Sequence, residues 1–97
     1  MADVTRLVLD LLKPHDPDLV EFSNGVAESP SVEGLNTTLI ETDREVQNVK
    51  LTVEGDAVDA AEVEAAVEDL GGTVHSIDEV TVGDRPVQER PTPQDRR

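Results

Sequence analysis

Asp10, His75 and Asp78 are the side chains whose types and spacing could do chemistry together. Asp10 interrupts the apolar run Leu7-Val8-Leu9-Asp10-Leu11-Leu12. A carboxylate on an apolar strand is costly unless it is paired or hydrogen-bonded. His75 and Asp78 stand in Gly71-Gly72-Thr73-Val74-His75-Ser76-Ile77-Asp78-Glu79-Val80, the densest mixture of reactive polar groups in the chain. Two carboxylates and an imidazole are ligands for a divalent cation, calcium or magnesium by the hardness of the oxygens. A plainer reading stands beside this one. Asp10 and His75 would then form a structural hydrogen bond across two strands or a contact between subunits, and Asp78-Glu79 would be a solvated strand end. His15 reads as an exposed turn residue, and the acids from Asp59 to Asp69 as the solvated face of a helix.

Catalysis finds little footing. No G-x-S-x-G nucleophile pattern occurs, and Gly71-Gly72 precedes a strand, so it offers no helix N-terminus to a phosphate. Arg6 lies within a strand, not in an anion-binding loop. No cysteine is present, which removes disulfides, thiol nucleophiles and zinc fingers. No catalytic residue is expected. An enzyme whose site is shared between subunits is the remaining reading of that class.

The elements that would position these residues follow from the hydrophobic pattern. In Val4 to Lys13, Leu7, Leu9 and Leu11 share one strand face, and Arg6, Val8, Asp10 and Leu12 share the other. Pro14 ends this strand. Asp16 as N-cap and Pro17 at the first helical position predict a helix to Ala27 or Glu28, with Leu19, Val20, Phe22 and Val26 as its stripe. Gly25 within it would let the helix pack closely on a sheet. A second strand runs through Thr42 and a third from Gln47 to Glu54, joined by the polar turn Asp43-Arg44-Glu45. Asp59-Ala60-Ala61-Glu62 is a capping-box pattern that opens a second helix, closed by Gly71 as a left-handed cap. The fourth strand runs through Val82.

Strand, helix, strand, strand, helix, strand predicts an α+β ferredoxin-like split βαβ sandwich, a four-stranded antiparallel sheet with two helices on one face. The expected strand order is fourth, first, third, second. That order sets the first strand beside the fourth and brings Asp10 near His75. Val74, Ile77 and Val80 recur every third residue, which a regular strand cannot place on one face. Either a bulge lies near His75-Ser76, or Ile77 joins Val8 and Leu12 on the uncovered face. The second arrangement would make Val8, Leu12 and Ile77 an oligomer interface, built through the open face or the strand edge.

The 97 residues suffice for one domain, expected over 1–83, with a polar Pro/Arg tail over 84–97. With one Phe and no Trp or Tyr the core must be aliphatic. Twenty-two acidic residues against eight basic ones give a formal charge of −14, and Lys13 and Lys50 are the only lysines. Such a surface suits a cytosol rich in salt, where a Debye length of about 3 Å at 1 M screens self-repulsion. It argues against nucleic acid, because neither a basic stripe nor an aromatic platform exists. No signal-peptide pattern or membrane-length apolar run occurs, so the expected location is the cytoplasm.

Three segments carry a resemblance. Leu7-Val8-Leu9-Asp10-Leu11-Leu12-Lys13-Pro14-His15, Val32-Glu33-Gly34-Leu35-Asn36 and Leu70 through Val80 are similar to the archaeal domain-of-unknown-function family 211. The resemblance covers nearly all of the chain apart from the tail. It implies a ferredoxin-like fold, ring-like homo-oligomers, no established activity and, in some members, divalent-cation binding. The acid-rich surface and the Pro-Arg tail depart from the family pattern and fit a haloarchaeal member. The expected function is therefore a homo-oligomeric, non-enzymatic regulatory or binding module with a cation or small ligand near Asp10 and His75. The alternative is an assembly module without a ligand.

Overall fold

The computed structural model describes residues 2–83, 85 and 87. The elements are β1 (Val4–Pro14), α1 (Leu19–Ala27), β2 (Gly34–Thr42), β3 (Val46–Glu54), α2 (Ala60–Asp69) and β4 (Thr73–Val82). The strands form one antiparallel sheet in the order β2-β3-β1-β4, the ferredoxin-like arrangement expected from the pattern. The expected tail, 84–97, lies outside the described residues apart from Arg85 and Val87.

Alternation on β1 and β3 builds the core. Leu7, Leu9 and Leu11 pair with Val53, Leu51 and Val49, and all six are buried. Phe22 and Val26 from α1 and Val63 and Val67 from α2 close over them. The helices lie over opposite flanks, α1 towards β2 and α2 towards β4.

The cap of α1 differs from expectation. Asp18, not Asp16, is the N-cap, and its side chain accepts from the Glu21 N–H at 2.9 Å. Asp18 itself is extended, so the helix starts at Leu19. Gly25 does not meet the sheet either. A Cβ there would lie 2.8 Å from both terminal carbons of Leu70, so the glycine lets α1 approach the end of α2.

Asp59 caps α2 as expected, accepting from the Glu62 N–H at 3.1 Å. The return half of the capping box passes through a third residue. Ser31 Oγ accepts from the Asp59 N–H at 3.0 Å and donates to Glu62 Oε1 at 2.9 Å. This ties the loop after α1 to the start of α2. At the other end Gly71 has φ +91°, its N–H donates to the Glu68 carbonyl, and the Gly72 N–H donates to the Val67 carbonyl. These are the paired bonds of a Schellman cap.

The period-three pattern of β4 resolves into two inserted residues. Asp10 pairs with Ser76 and Leu11 with Val74, which leaves His75 as the extra residue. Val8 pairs with Glu79 and Leu9 with Ile77, which leaves Asp78 as the second. Each insertion restores the phase. Val74, Ile77 and Val80 therefore stand opposite Leu11, Leu9 and Leu7, on the helix side of the sheet.

Candidate functional site on the open sheet face

The face without helices is polar. Its rows are Arg6, Val8, Asp10 and Leu12 on β1, with Glu54, Thr52, Lys50 and Asn48 opposite on β3. β4 adds Thr81, Glu79, Ser76 and Thr73, and β2 adds Gly34, Asn36, Thr38 and Glu41. Val8 is 4% exposed and Leu12 39%. Ile77 is on the other side, opposite Leu9, so the expected trio of Val8, Leu12 and Ile77 is divided between two faces. The bulges are the cause, because they turn Ile77 into phase with the core strand.

Arg6 spans three strands. Its Nε donates to Glu79 Oε2 and its Nη1 to Glu54 Oε2, both at 2.7 Å. These bonds, Glu79 first, raise the Arg6 pKa above its ordinary value. Asp10 is half-buried, and its Oδ1 accepts from Asn48 Nδ2 at 2.6 Å. Asn48 also donates to the Leu11 carbonyl at 3.2 Å. Asp10 is thus satisfied from β3 and not by His75 on β4. Lys50 is the direct cross-strand neighbour of Asp10, yet it has no ion-pair partner among the described residues. A groove of about 420 Å³ opens beside it, lined by Arg6, Asn36, Thr38, Lys50, Thr52 and Glu54 together with Gly34 and Leu35.

The expected cation ligands do not converge. His75 is exposed at its bulge, and Asp78 Oδ1 accepts from Ser76 Oγ at 2.7 Å. Among the described residues no three of His, Asp and Glu are grouped so as to hold a metal ion. A divalent cation therefore does not fit the set Asp10, His75 and Asp78 as they stand. The physical reason is that β1 has two neighbours, and Asp10 is drawn to the amide on one while His75 sits on the other.

His15, read from the sequence as an exposed turn residue, is exposed and also has a partner. Its Nε2 lies 2.7 Å from the Asp43 carbonyl oxygen and fastens the loop after β1 to the β2–β3 turn. Within that turn Asp43 Oδ1 accepts from the Val46 and Glu45 N–H groups, which hold the Asp43 carboxyl below its ordinary pKa.

Sequence reasoning passed over Lys13. It is fully buried, and its Nζ donates to the Pro14 carbonyl and to Gln47 Oε1, each at 2.8 Å. Burial lowers its pKa, with Asp18 and Asp16 pulling the other way. The alternation Leu7, Leu9, Leu11 carried one step further reaches Lys13, and that was the available signal.

Over residues 5–96 the chain matches the family model described as "Uncharacterized ArCR, COG1888", DUF211. It belongs to the DUF211 family. A relative described as an uncharacterized protein of Methanocaldococcus jannaschii is 44% identical over 96 residues, 99% of each chain. The DUF211 match reaches past β4 to residue 96, so it takes in most of the segment read as a tail. No helix among the described residues of this DUF211 chain is long and apolar enough to cross a membrane.

Proposed function

We propose that this DUF211 protein is a non-enzymatic module that self-associates through the edges of its sheet. The observation that carries this reading is where the exposed aliphatic side chains lie. Leu39 and Ile40 on β2, and Ile77, Val80 and Val82 on β4, are 43–56% exposed. Among the described residues both strands are edges of the sheet, nine and ten residues long. A long edge strand bearing aliphatic groups is a template for pairing with another chain. In a chain this acidic, retaining five such side chains on two edges implies that something covers them.

The strand directions support a head-to-tail arrangement. Along β2-β3-β1-β4 the direction alternates at every step. A second copy in the same orientation would therefore place its β2 antiparallel to the first copy's β4, and the sheet would continue under the same rule. Such a contact joins two different surfaces, so it propagates until it closes into a ring or extends as a fibre. The bulges at His75 and Asp78 interrupt β4 and leave Glu79, Val80 and Thr81 beyond them in continuous register with β1.

The acidic surface belongs to the same reading. A formal charge of −14 opposes association at low ionic strength and permits it in multimolar salt, as in a haloarchaeal cytosol. Light scattering after size exclusion in 2 M KCl tests the proposal. A mass several times that of the chain is expected, and Val80→Glu should reduce it to the monomer. A monomeric wild type, or an assembly unchanged in Val80→Glu, would overturn the edge contact.

A further inference from the structure

We infer that the groove on the open sheet face is a binding site for a small organic anion, with Lys50 and Arg6 as its cationic contacts. Its volume, about 420 Å³, falls within the range of small-molecule sites. Its lining is unusual for this molecule. Neither α1 nor α2 contains a basic residue, and Lys13 is sealed in the interior. Among the described residues Arg6 and Lys50 are the basic ones in the open-face rows, and both line this one groove.

Among the described residues Lys50 lacks the ion-pair partner that its position offers. Opposite charges directly across an antiparallel pair attract each other. Asp10 stands in that position but takes the Asn48 amide instead. The ammonium is left facing the groove in a chain with 22 carboxylates. Arg6 is prepared in a complementary way. Two of its five N–H donors are fixed by Glu79 and Glu54, which hold the guanidinium plane across the sheet. Its other donors remain to receive an oxyanion in the planar, paired geometry that a guanidinium favours.

The other walls define the body of the ligand. Asn36, Thr38 and Thr52 supply neutral donors and acceptors, and Glu54 adds a carboxylate acceptor. This set fits a small hydroxylated molecule with one carboxylate or phosphate group. A long polyanion does not fit, because the surrounding acidic surface would repel it. The cleft between α1 and α2 offers the opposite chemistry, since Glu21, Glu28 and Asp69 line it. Association through the strand edges would leave the open face accessible, so this site stands or falls separately from the assembly.

Two-dimensional amide NMR of the full chain in 1 M KCl tests the inference, with D-glycerate and inorganic phosphate as probes against added KCl of equal ionic strength. Saturable shifts of the Asn36, Thr38, Lys50 and Thr52 amides are expected with at least one probe. Response to glycerate alone assigns a carboxylate ligand, response to phosphate alone a phosphorylated one, and response to both a general oxyanion site. Lys50→Gln, an exposed substitution, should weaken binding about tenfold while leaving the remaining spectrum in place. Lys50→Arg should retain binding. Overturning results are no saturable shift with either probe, shifts that merely follow ionic strength, or equal affinity in Lys50→Gln.

Discussion

Asn48 donates its side-chain amide to the Asp10 carboxylate at 2.6 Å across the two central strands, although Lys50 is the residue directly opposite Asp10. One short bond therefore settles two questions on the open face. It satisfies a half-buried carboxylate, and it releases an ammonium.

Removing that amide exposes its worth. Asn48→Ala leaves Asp10 without its donor and is expected to lower stability by about 1–2 kcal/mol, the range for hydrogen bonds to charged groups reduced for partial exposure. Urea unfolding at neutral pH and constant salt reads this as a lower midpoint with an unchanged slope. A change below about 0.3 kcal/mol would mean that Lys50 or water takes over at once.

Two glycines should respond in opposite directions. A Cβ on Gly72 would lie 2.9 Å from Val67 Cγ1 and 3.2 Å from the Leu12 and Val67 carbonyl oxygens. The backbone cannot yield there as a side chain could, so Gly72→Ala should cost about 1–3 kcal/mol. Gly34 meets nothing within 4 Å and has no positive φ. Gly34→Ala should be neutral or stabilising by about 0.5–1 kcal/mol, through the unfolded chain. Thermal unfolding of the pair checks the contrast.

Lys13 predicts a pH dependence with a definite sign. Burial sets its folded pKa below the ordinary 10.5. Between those two values the unfolded chain binds more protons than the folded one, so stability rises with pH through that window. The chain has neither Tyr nor Cys, so no phenol or thiol titration overlaps that window. Urea midpoints from pH 8 to pH 10 should climb in the wild type and lose most of that slope in Lys13→Met.

Asp43 predicts the acid side. Its folded pKa is depressed by the Val46 and Glu45 N–H groups. The stability it contributes is fully present above the unfolded carboxylate value and is lost as pH falls through the lower folded value. The melting temperature of the wild type should therefore fall more steeply on acidification than that of Asp43→Ala. Parallel curves would show that the turn closes without this carboxylate.

The fold was legible because its signals are local. Leu7, Leu9 and Leu11 alternate, Asp59 precedes a helical stripe, and Gly71 ends it, so each element announces itself within a few residues. Competition between equivalent groups was harder to read. Asp16 and Asp18 are both good caps, and only the placement of Glu21 decides for Asp18. Asp10 has a neighbour on each side, and the sequence does not say which strand supplies its donor. The inserted residues at His75 and Asp78 showed as a broken period, but which residue is squeezed out depends on pairing with β1. The expected trio of Val8, Leu12 and Ile77 is divided for the same reason, because pairing with β1 sets Ile77 opposite Leu9.

The burial of Lys13 also changes how the molecule can be handled. Of its two lysines one is sealed inside, so an amine-directed reagent meets a single side chain, Lys50, besides the α-amino group. A fluorophore or spin label coupled there would sit at the rim of the groove without any engineered attachment point. The rate of that coupling would become a direct gauge of whatever lies over the sheet.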